Sequence, residues 1–237
     1  MHEKVVRFVD VYRRSSFGGA LTSVLTDNSI ELHKMIGGRL DFHCLPSSLF
    51  FDDPPNADGT SSWKLIDSPI TENMTHRFEG FIGHRLPRIF KDYLQYKCIP
   101  NGYLYEAVIP SIDPEAPLSW LEWQCTVPSL FSLPHSDRYY PICSLPADSG
   151  VLCVDSASPS GSDDFRLVAR GYPGVSPPAS VASSDFPTAF ESFEAYIDFI
   201  IDWLTFSINR PRDSFLRWMA SVNKPIPHAY YATVNGE

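Results

Sequence analysis

One stretch of the chain, residues 71–97, constrains the fold more than any other. In its first half, apolar residues recur at three- and four-residue spacing, which is typical of one face of an amphipathic helix. These residues are Ile70, Met74, Phe78, Phe81 and Ile82. Thr71 is a candidate N-cap, and Gly83 can adopt the left-handed conformation that ends a helix. The pattern therefore predicts a helix between Thr71 and Gly83.

A second amphipathic helix is predicted directly afterwards. Pro87 suits the first turn of a helix, where its missing N–H is not needed. The apolar stripe of this helix comprises Leu86, Ile89, Phe90, Tyr93 and Leu94. Because both helices are short and each has a single apolar face, we expect them to share one core across a hinge at residues 83–87.

A third amphipathic helix is predicted late in the chain, at residues 188–204. Thr188 and Glu191 have the spacing of a capping box, and Ser192 is an alternative N-cap. The apolar side of this helix would carry Phe193, Tyr196, Ile197, Ile200, Ile201 and Leu204.

The opposite side of the same helix is predicted to be acidic. Its carboxylates are Glu191, Glu194, Asp198 and Asp202, with no Lys or Arg between them. Like charges at three- and four-residue spacing repel by about 0.2–0.5 kcal/mol per pair. The row is either a solvated face whose first acids complement the helix dipole, or a docking face for a cationic partner.

A second acidic pair, Asp163 and Asp164, lies among turn residues. The pair does not match the alternating oxygen ligands of a calcium loop, so turn formation is the simpler explanation. Its charge also makes it a candidate contact for the same cationic partner.

Several short β-type runs, separated by proline-rich turns, follow the paired helices. They occupy residues 104–109, 120–127, 150–155 and 165–170. We expect the last two runs to form a hairpin whose loop, residues 156–164, has little to bury.

The two ends of the chain yield weaker patterns. Residues 3–12 are rich in β-branched side chains and favour a strand. A final helix is predicted at residues 213–222, with Phe215, Trp218 and Met219 on its packed side. Pro225 and Pro227 are then expected to end regular structure.

The order and spacing of these elements resemble the SUKH superfamily, the Smi/Knr-like domains. The paired helices carry the supporting residues, which are Phe78, Glu79, Ile82, Gly83, Leu86, Pro87, Phe90, Tyr93 and Leu94, followed by Asn101-Gly102. The run Phe193-Glu194-Ala195-Tyr196-Ile197 is similar to the helix that closes such domains. The likeness covers residues 63–204. Family members often have Asn-Gly-Gly after the second helix, whereas Tyr103 follows Gly102 here.

The resemblance implies an α+β fold in which helices pack on a central, mostly antiparallel sheet. A polar, proline-bearing connection at residues 52–59 marks the boundary of an N-terminal extension, so we expect an extension (1–62), a main domain (63–206), and a C-terminal helix and tail (207–237). The extension would pack on the main domain or clamp a partner. The resemblance also implies a non-catalytic domain that acts by binding another protein.

The charge of the chain bears on that partner. The net charge of −9 argues against nucleic acid as a direct partner, because phosphate binding depends on clustered Lys and Arg. It favours a basic or neutral protein instead. Residues 1–10 show no secretory signal, and no segment approaches the roughly 20 apolar residues of a membrane span. We therefore expect a cytoplasmic protein without membrane contact.

Linear signatures of catalysis are missing from the sequence, including Gly-x-Ser-x-Gly and His-Glu-x-x-His. His43-Cys44 is the most suggestive pair, but adjacent side chains in a strand point to opposite faces. His33, His43 and Cys44 also lack the paired short spacings of zinc sites. We expect no catalytic residue, no metal and no cofactor.

The cysteines are odd in number and have no Cys-x-x-Cys spacing, which favours reduced, buried thiols. They are Cys44, Cys98, Cys125, Cys143 and Cys153.

The function expected from the resemblance is that of an immunity protein, because many bacterial members of the family resemble proteins that neutralise a cognate secreted toxin. An acidic inhibitor could occlude a basic active site by mimicking the charge of nucleic acid. Two alternatives stay open: a regulatory scaffold like the eukaryotic members, and an undetected hydrolase or transferase.

Overall fold

The computed structural model of the 237-residue chain describes the structure of part of the chain, in several separate ranges. The described residues are 2–14, 66–98, 102–104, 107–109, 112, 117–118, 121, 138–145, 150–159, 163–171, 186–206 and 212–235. The predicted strand at 120–127 lies outside them apart from Leu121, and so do His33, His43, Cys44 and Cys125.

Among the described elements, three helices precede the strands along the chain and three follow them. The helices are α1 (Glu3–Arg14), α2 (Glu72–Ile82), α3 (Arg88–Tyr96), α4 (Phe193–Thr205), α5 (Arg212–Ser221) and α6 (His228–Asn235). The strands are β1 (Gly102–Leu104), β2 (Ala107–Ile109), β3 (Tyr139–Ser144), β4 (Gly150–Pro159), β5 (Phe165–Gly171) and β6 (Thr188–Phe190).

The main sheet has four strands in the order β3-β4-β5-β6, and every neighbouring pair is antiparallel. The predicted α+β fold with an antiparallel sheet is therefore confirmed. The predicted hairpin is the β4–β5 pair, with Cys153 opposite Val168. β4 continues to Pro159, so the predicted loop is shorter than expected. Residues 104–109 do not form the predicted single strand, because Leu104 ends β1 and Ala107–Ile109 form β2, which pairs with β1.

The sheet is buried on both faces. Alternation along β4 directs Leu152 and Val154 to the core formed with the helices. Val151 and Cys153 point the other way and form a smaller cluster with Tyr139, Val168 and the partly buried Phe186.

The paired helices and their hinge have the predicted bounds. The Thr71 side chain caps α2 by accepting a hydrogen bond from the N–H of Met74, at 3.3 Å. Gly83 adopts a left-handed conformation with φ of 72°, which ends the helix. Pro87 precedes α3 as its N-cap, one position before the first turn.

One residue of the predicted α2 stripe is wrongly placed. Phe81 is 58% exposed, whereas Thr75 is fully buried beside Phe78. Thr75 can be buried because its hydroxyl donates to the carbonyl of Glu72 at 2.8 Å. The buried face of α2 is therefore rotated from the predicted one, away from Phe81 and towards the polar residue Thr75.

The predicted N-terminal strand is also wrong, because residues 3–14 form α1. Val5, Phe8, Val9 and Tyr12 are 0–3% exposed, at the spacing of one helical face. The Phe8 ring contacts that of Tyr93 in α3, with centroids 6.0 Å apart. This part of the N-terminal extension thus belongs to the main core.

The late helix begins five residues after its predicted start. Residues 188–190 form β6, which pairs with β5 at the edge of the sheet. The alternative cap is the one used, since the Ser192 hydroxyl accepts from the N–H of Ala195 at 3.0 Å. Glu191 consequently lies before α4 and not on it.

The predicted last helix is present as α5, with Phe215 and Met219 buried and Trp218 partly buried. However, Pro225 and Pro227 do not end regular structure. The Pro227 carbonyl accepts from the N–H of Tyr231 at 3.1 Å, so this proline precedes α6. The rings of Tyr230 and Phe199 in α4 then pack with centroids 5.9 Å apart.

Candidate functional site

The outer side of α4 carries the acidic residues that sequence reasoning selected. Glu194, Asp198 and Asp202 follow at four-residue intervals, so they form one row along the helix. The Glu194 and Asp198 side chains are 41% and 46% exposed, whereas that of Asp202 is 16% exposed. The inner side of α4 is buried from Phe193 to Leu204.

Lys4 of α1 lies between the first two carboxylates of this row. Its Nζ is 2.6 Å from Oε1 of Glu194 and 2.5 Å from Oδ2 of Asp198. Burial tends to lower the pKa of Lys4, but its hydrogen bonds to Asp198 and Glu194 outweigh this effect and the pKa is raised. Both carboxylates therefore share one fully charged ammonium.

The other two acids also have cationic neighbours. Lys224, which follows α5, forms an ion pair with Asp202, and its Nζ lies 5.6 Å from the centre of the Trp218 ring. Arg166 of β5 approaches Glu191, with Nε 3.8 Å from Oε2. The Glu191 side chain is 80% exposed, so this contact is weak.

The acidic row is thus compensated from outside its own helix. Glu191, which lies just before α4, and the three acids of the row together face three cationic side chains, Lys4, Lys224 and Arg166. The sequence pattern does not reveal these cations, because none of them lies between the acids along the chain. Lys4 and Asp198 are 194 positions apart, and no local pattern joins residues at that separation. A role of the row in partner binding stays a prediction.

Asp163 and Asp164 lie at the start of β5, where the chain meets two helices. The Asp164 carboxylate accepts from the N–H groups of Phe193 and Glu194, at 3.0 and 3.1 Å. The Asp163 carbonyl accepts from the N–H of Arg88 at 2.8 Å. The pair therefore satisfies first-turn N–H groups of both α3 and α4. Turn formation and helix capping account for these residues, and their contact with a partner also stays a prediction.

Glu79 organises the connection between α2 and α3. Its side chain is 12% exposed and accepts from the N–H of Leu86 at 2.8 Å and from Nζ of Lys91 at 3.1 Å. Nδ1 of His76 lies 3.1 Å from its other oxygen. Burial tends to raise the pKa of Glu79, but the hydrogen bonds to Leu86, Lys91 and His76 outweigh it and the pKa is lowered.

The same connection is attached to the sheet. The Tyr140 hydroxyl of β3 donates to the carbonyl of Arg85 at 2.6 Å. The rings of Tyr140 and His84 stack with centroids 5.6 Å apart. Residues 83–87 are therefore held by α2, by β3 and, through Arg88, by the start of β5.

The described cysteines are Cys98, Cys143 and Cys153, and all three are buried thiols. Burial raises the pKa of the Cys143 thiol to about 12, although a hydrogen bond to Tyr196 acts in the opposite direction. A thiol with this pKa is protonated at neutral pH and is a poor nucleophile. Within the ranges that the structure describes, no three His, Cys, Asp or Glu residues converge in a geometry that could hold a metal ion.

Among the described residues, no helix combines the length and the apolar character needed to cross a membrane. Comparison of the chain with protein-family models, with curated proteins and with solved structures finds no match.

Proposed function

We propose that this protein is an immunity protein, which binds a cognate secreted toxin and neutralises it by covering a basic active-site surface. The observation that supports this proposal most directly is the exposure of Glu194 and Asp198 on the outer side of α4, in a chain with a net charge of −9. The resemblance of the paired helices and of α4 to SUKH domains supplies the class of partner. The protein acts in the cytoplasm, and its activity needs no cofactor.

Lys4 gives this proposal a specific mechanism. Glu194 and Asp198 together carry one negative charge more than Lys4 compensates. A Lys or Arg of the toxin would compete with Lys4 for the same carboxylate oxygens. Because the side chains of Lys4, Glu194 and Asp198 are 33–46% exposed, the exchange costs little, and complementary charge would chiefly accelerate association.

The first experiment identifies the toxin. The full-length chain is purified from its native host, and the bound protein is identified by mass spectrometry. Expression of that protein alone should stop cell growth, and co-expression of this chain should restore it. A bound protein that has no effect on growth in either case would contradict the immunity function.

The second experiment tests the mechanism with neutral substitutions. Lys4→Gln exposes both carboxylates and should accelerate association with the toxin, whereas Glu194→Gln combined with Asp198→Asn should slow it, each by roughly twofold to tenfold at low salt. Association rates are measured by stopped-flow fluorescence at several salt concentrations. Charge reversal to Lys is avoided, because it would place three cations together and would loosen α1.

Lys97→Gln is the matched control for Lys4→Gln. Lys97 forms an ion pair with Asp67, so this variant makes the same charge change away from α4. Its association rate should equal that of the unmodified protein. Equal rates for all variants would remove the α4 row from the interface.

A further inference from the structure

The helix α1 is attached to α3 and α4 by an apolar face and by one charged side chain. The apolar face has the i, i+3, i+4, i+7 spacing of a helix that fits into a groove. Its residues, all 0–3% exposed, are Val5, Phe8, Val9 and Tyr12. Lys4 directly precedes them and forms ion pairs with both Glu194 and Asp198 of α4. The position of the Lys4 ammonium therefore depends on how α1 is docked.

A series of aromatic rings connects docked α1 to the start of the acidic row. The rings of Phe8 and Tyr93 have centroids 6.0 Å apart, and those of Tyr93 and Phe90 are 6.1 Å apart. The Phe90 ring then contacts that of Phe193 at 4.9 Å. Phe193 is the first residue of α4 and directly precedes Glu194. Thus α1, α3 and the first turn of α4 pack together beside these carboxylates.

Lys4 serves α4 more than it serves its own helix. It lies in the first turn of α1, where the helix dipole disfavours a cation. Burial tends to lower the pKa of Lys4, but its hydrogen bonds to Asp198 and Glu194 outweigh this effect and the pKa is raised. Lys4 therefore contributes to the docking of α1 through its contacts with the two carboxylates.

Docked α1 and a cationic partner use the same carboxylate oxygens. While α1 is docked, a Lys or Arg of the partner has to displace the Lys4 ammonium. Once α1 leaves its position, both carboxylates are open to the partner. The partner therefore binds more tightly when α1 is undocked, and by thermodynamic linkage it weakens the docking of α1 by the same factor.

We propose that α1 is an autoinhibitory helix, which through Lys4 weakens the binding of a cationic partner at Glu194 and Asp198 and is itself loosened by that partner. This inference rests on the proposed role of the acidic row and names how that site is regulated. Because the side chains of these ion pairs are 33–46% exposed, the reciprocal factor is about threefold to tenfold.

The test measures amide hydrogen exchange in the unmodified full-length chain, with and without a saturating short peptide of Arg and Gly. The experiment is done at low salt, and binding of the peptide is followed by the anisotropy of a fluorescein label. Amides of a docked helix exchange through its transient opening, so their rate reports the undocked fraction. With the peptide, the amides of residues 8–12 should exchange about threefold to tenfold faster, whereas those of β4 should not.

Two variants test whether the effect passes through Lys4. In Lys4→Gln, the α1 amides should exchange faster by the same factor without the peptide, and the peptide should add little. Glu194→Gln combined with Asp198→Asn should behave in the same way, because it removes the other side of the ion pairs. Lys97→Gln is the matched control, since Lys97 pairs with Asp67 and the charge change is identical. It should leave the exchange of α1 and its response to the peptide unchanged.

Four results would overturn the proposal: no binding of the peptide, unchanged exchange of α1 on its addition, an equal acceleration in β4, or an undiminished response in Lys4→Gln. The growth experiment with the toxin is decided separately. A chain that restores growth but shows none of these exchange effects keeps its immunity function and has no autoinhibitory helix.

Discussion

Glu79 shows how one side chain can determine the geometry of a connection. Its carboxylate contacts His76 of α2, the N–H of Leu86 in the connection, and Lys91 of α3. Phe78, Glu79 and Gly83 are among the residues that carry the resemblance to SUKH domains. The structure adds the physical reason for a carboxylate at this position, which is to accept the N–H of Leu86 at the turn.

Glu79 should make the stability of the protein depend on pH. Because its pKa in the folded protein is lowered, the stability it contributes is fully present above the ordinary pKa of a glutamate and is lost as the pH falls through the folded-state pKa. Glu79→Gln should lower the free energy of unfolding by about 1–2 kcal/mol at neutral pH. Urea denaturation of both proteins should show this difference shrinking below about pH 4.

Glu72→Gln is the control on the same helix, because the Glu72 side chain is 84% exposed and its contact with His76 spans 3.6 Å. It should change stability little at any of these pH values. A pH-independent loss in Glu79→Gln would show that its charge has no role in the turn.

At the scale of the element, the start of β5 connects two helix N-termini. Asp164 binds the first N–H groups of α4, and Asp163 reaches α3 through its carbonyl while adopting φ of 118°. This φ lies in a region that is costly for every residue with a Cβ atom. Neighbouring aspartates therefore have opposite effects: one side chain stabilises a helix, and the other is a source of strain.

The two aspartates should respond oppositely to the same substitution. Asp164→Gly removes the α4 cap and should lower the free energy of unfolding by about 1–2 kcal/mol. Asp163→Gly keeps the carbonyl that serves α3 and relieves the positive φ, so it should raise that free energy by about 1 kcal/mol. Thermal denaturation followed by circular dichroism distinguishes them, and a loss of stability in both variants would contradict the assignment.

At the scale of the whole molecule, α1 completes the core. It packs against α3 through Phe8 and Tyr93 and against α4 through Lys4, although 57 residues separate Arg14 from Glu72. The helix that follows the last prolines, α6, similarly packs on α4 through Tyr230 and Phe199. Both ends of the described chain thus meet at the same helix, α4.

Truncation of a buried α1 side chain should destabilise the entire fold. Phe8→Ala should lower the free energy of unfolding by about 3–5 kcal/mol, because it leaves a cavity between α1 and α3. Val6→Ala, at a position of α1 that is 40% exposed, should cost less than about 0.5 kcal/mol. Urea denaturation measures both, and equal effects would show that α1 is not a core element.

The errors of sequence reasoning at the N-terminus and at β6 have different causes. Val5, Phe8, Val9 and Tyr12 carry the helical spacing in the sequence itself, but the β-branched residues around them favoured a strand by propensity. Burial against α3 and α4 overrides that weak preference. In contrast, Thr188 and Glu191 form a correct local capping pattern that is not used, because β5 pairs with residues 188–190.

The amino-acid sequence by itself determined the features that depend on neighbouring residues. These are the helical stripes of α2, α3 and α4, the caps at Thr71 and Ser192, the turn at Gly83 and the β4–β5 hairpin. Only the tertiary structure decided that Lys4, Lys224 and Arg166 lie against the acidic residues at α4. The physical reason is that periodicity places a side chain on a face, whereas the charge of that face depends on residues brought there from distant parts of the chain.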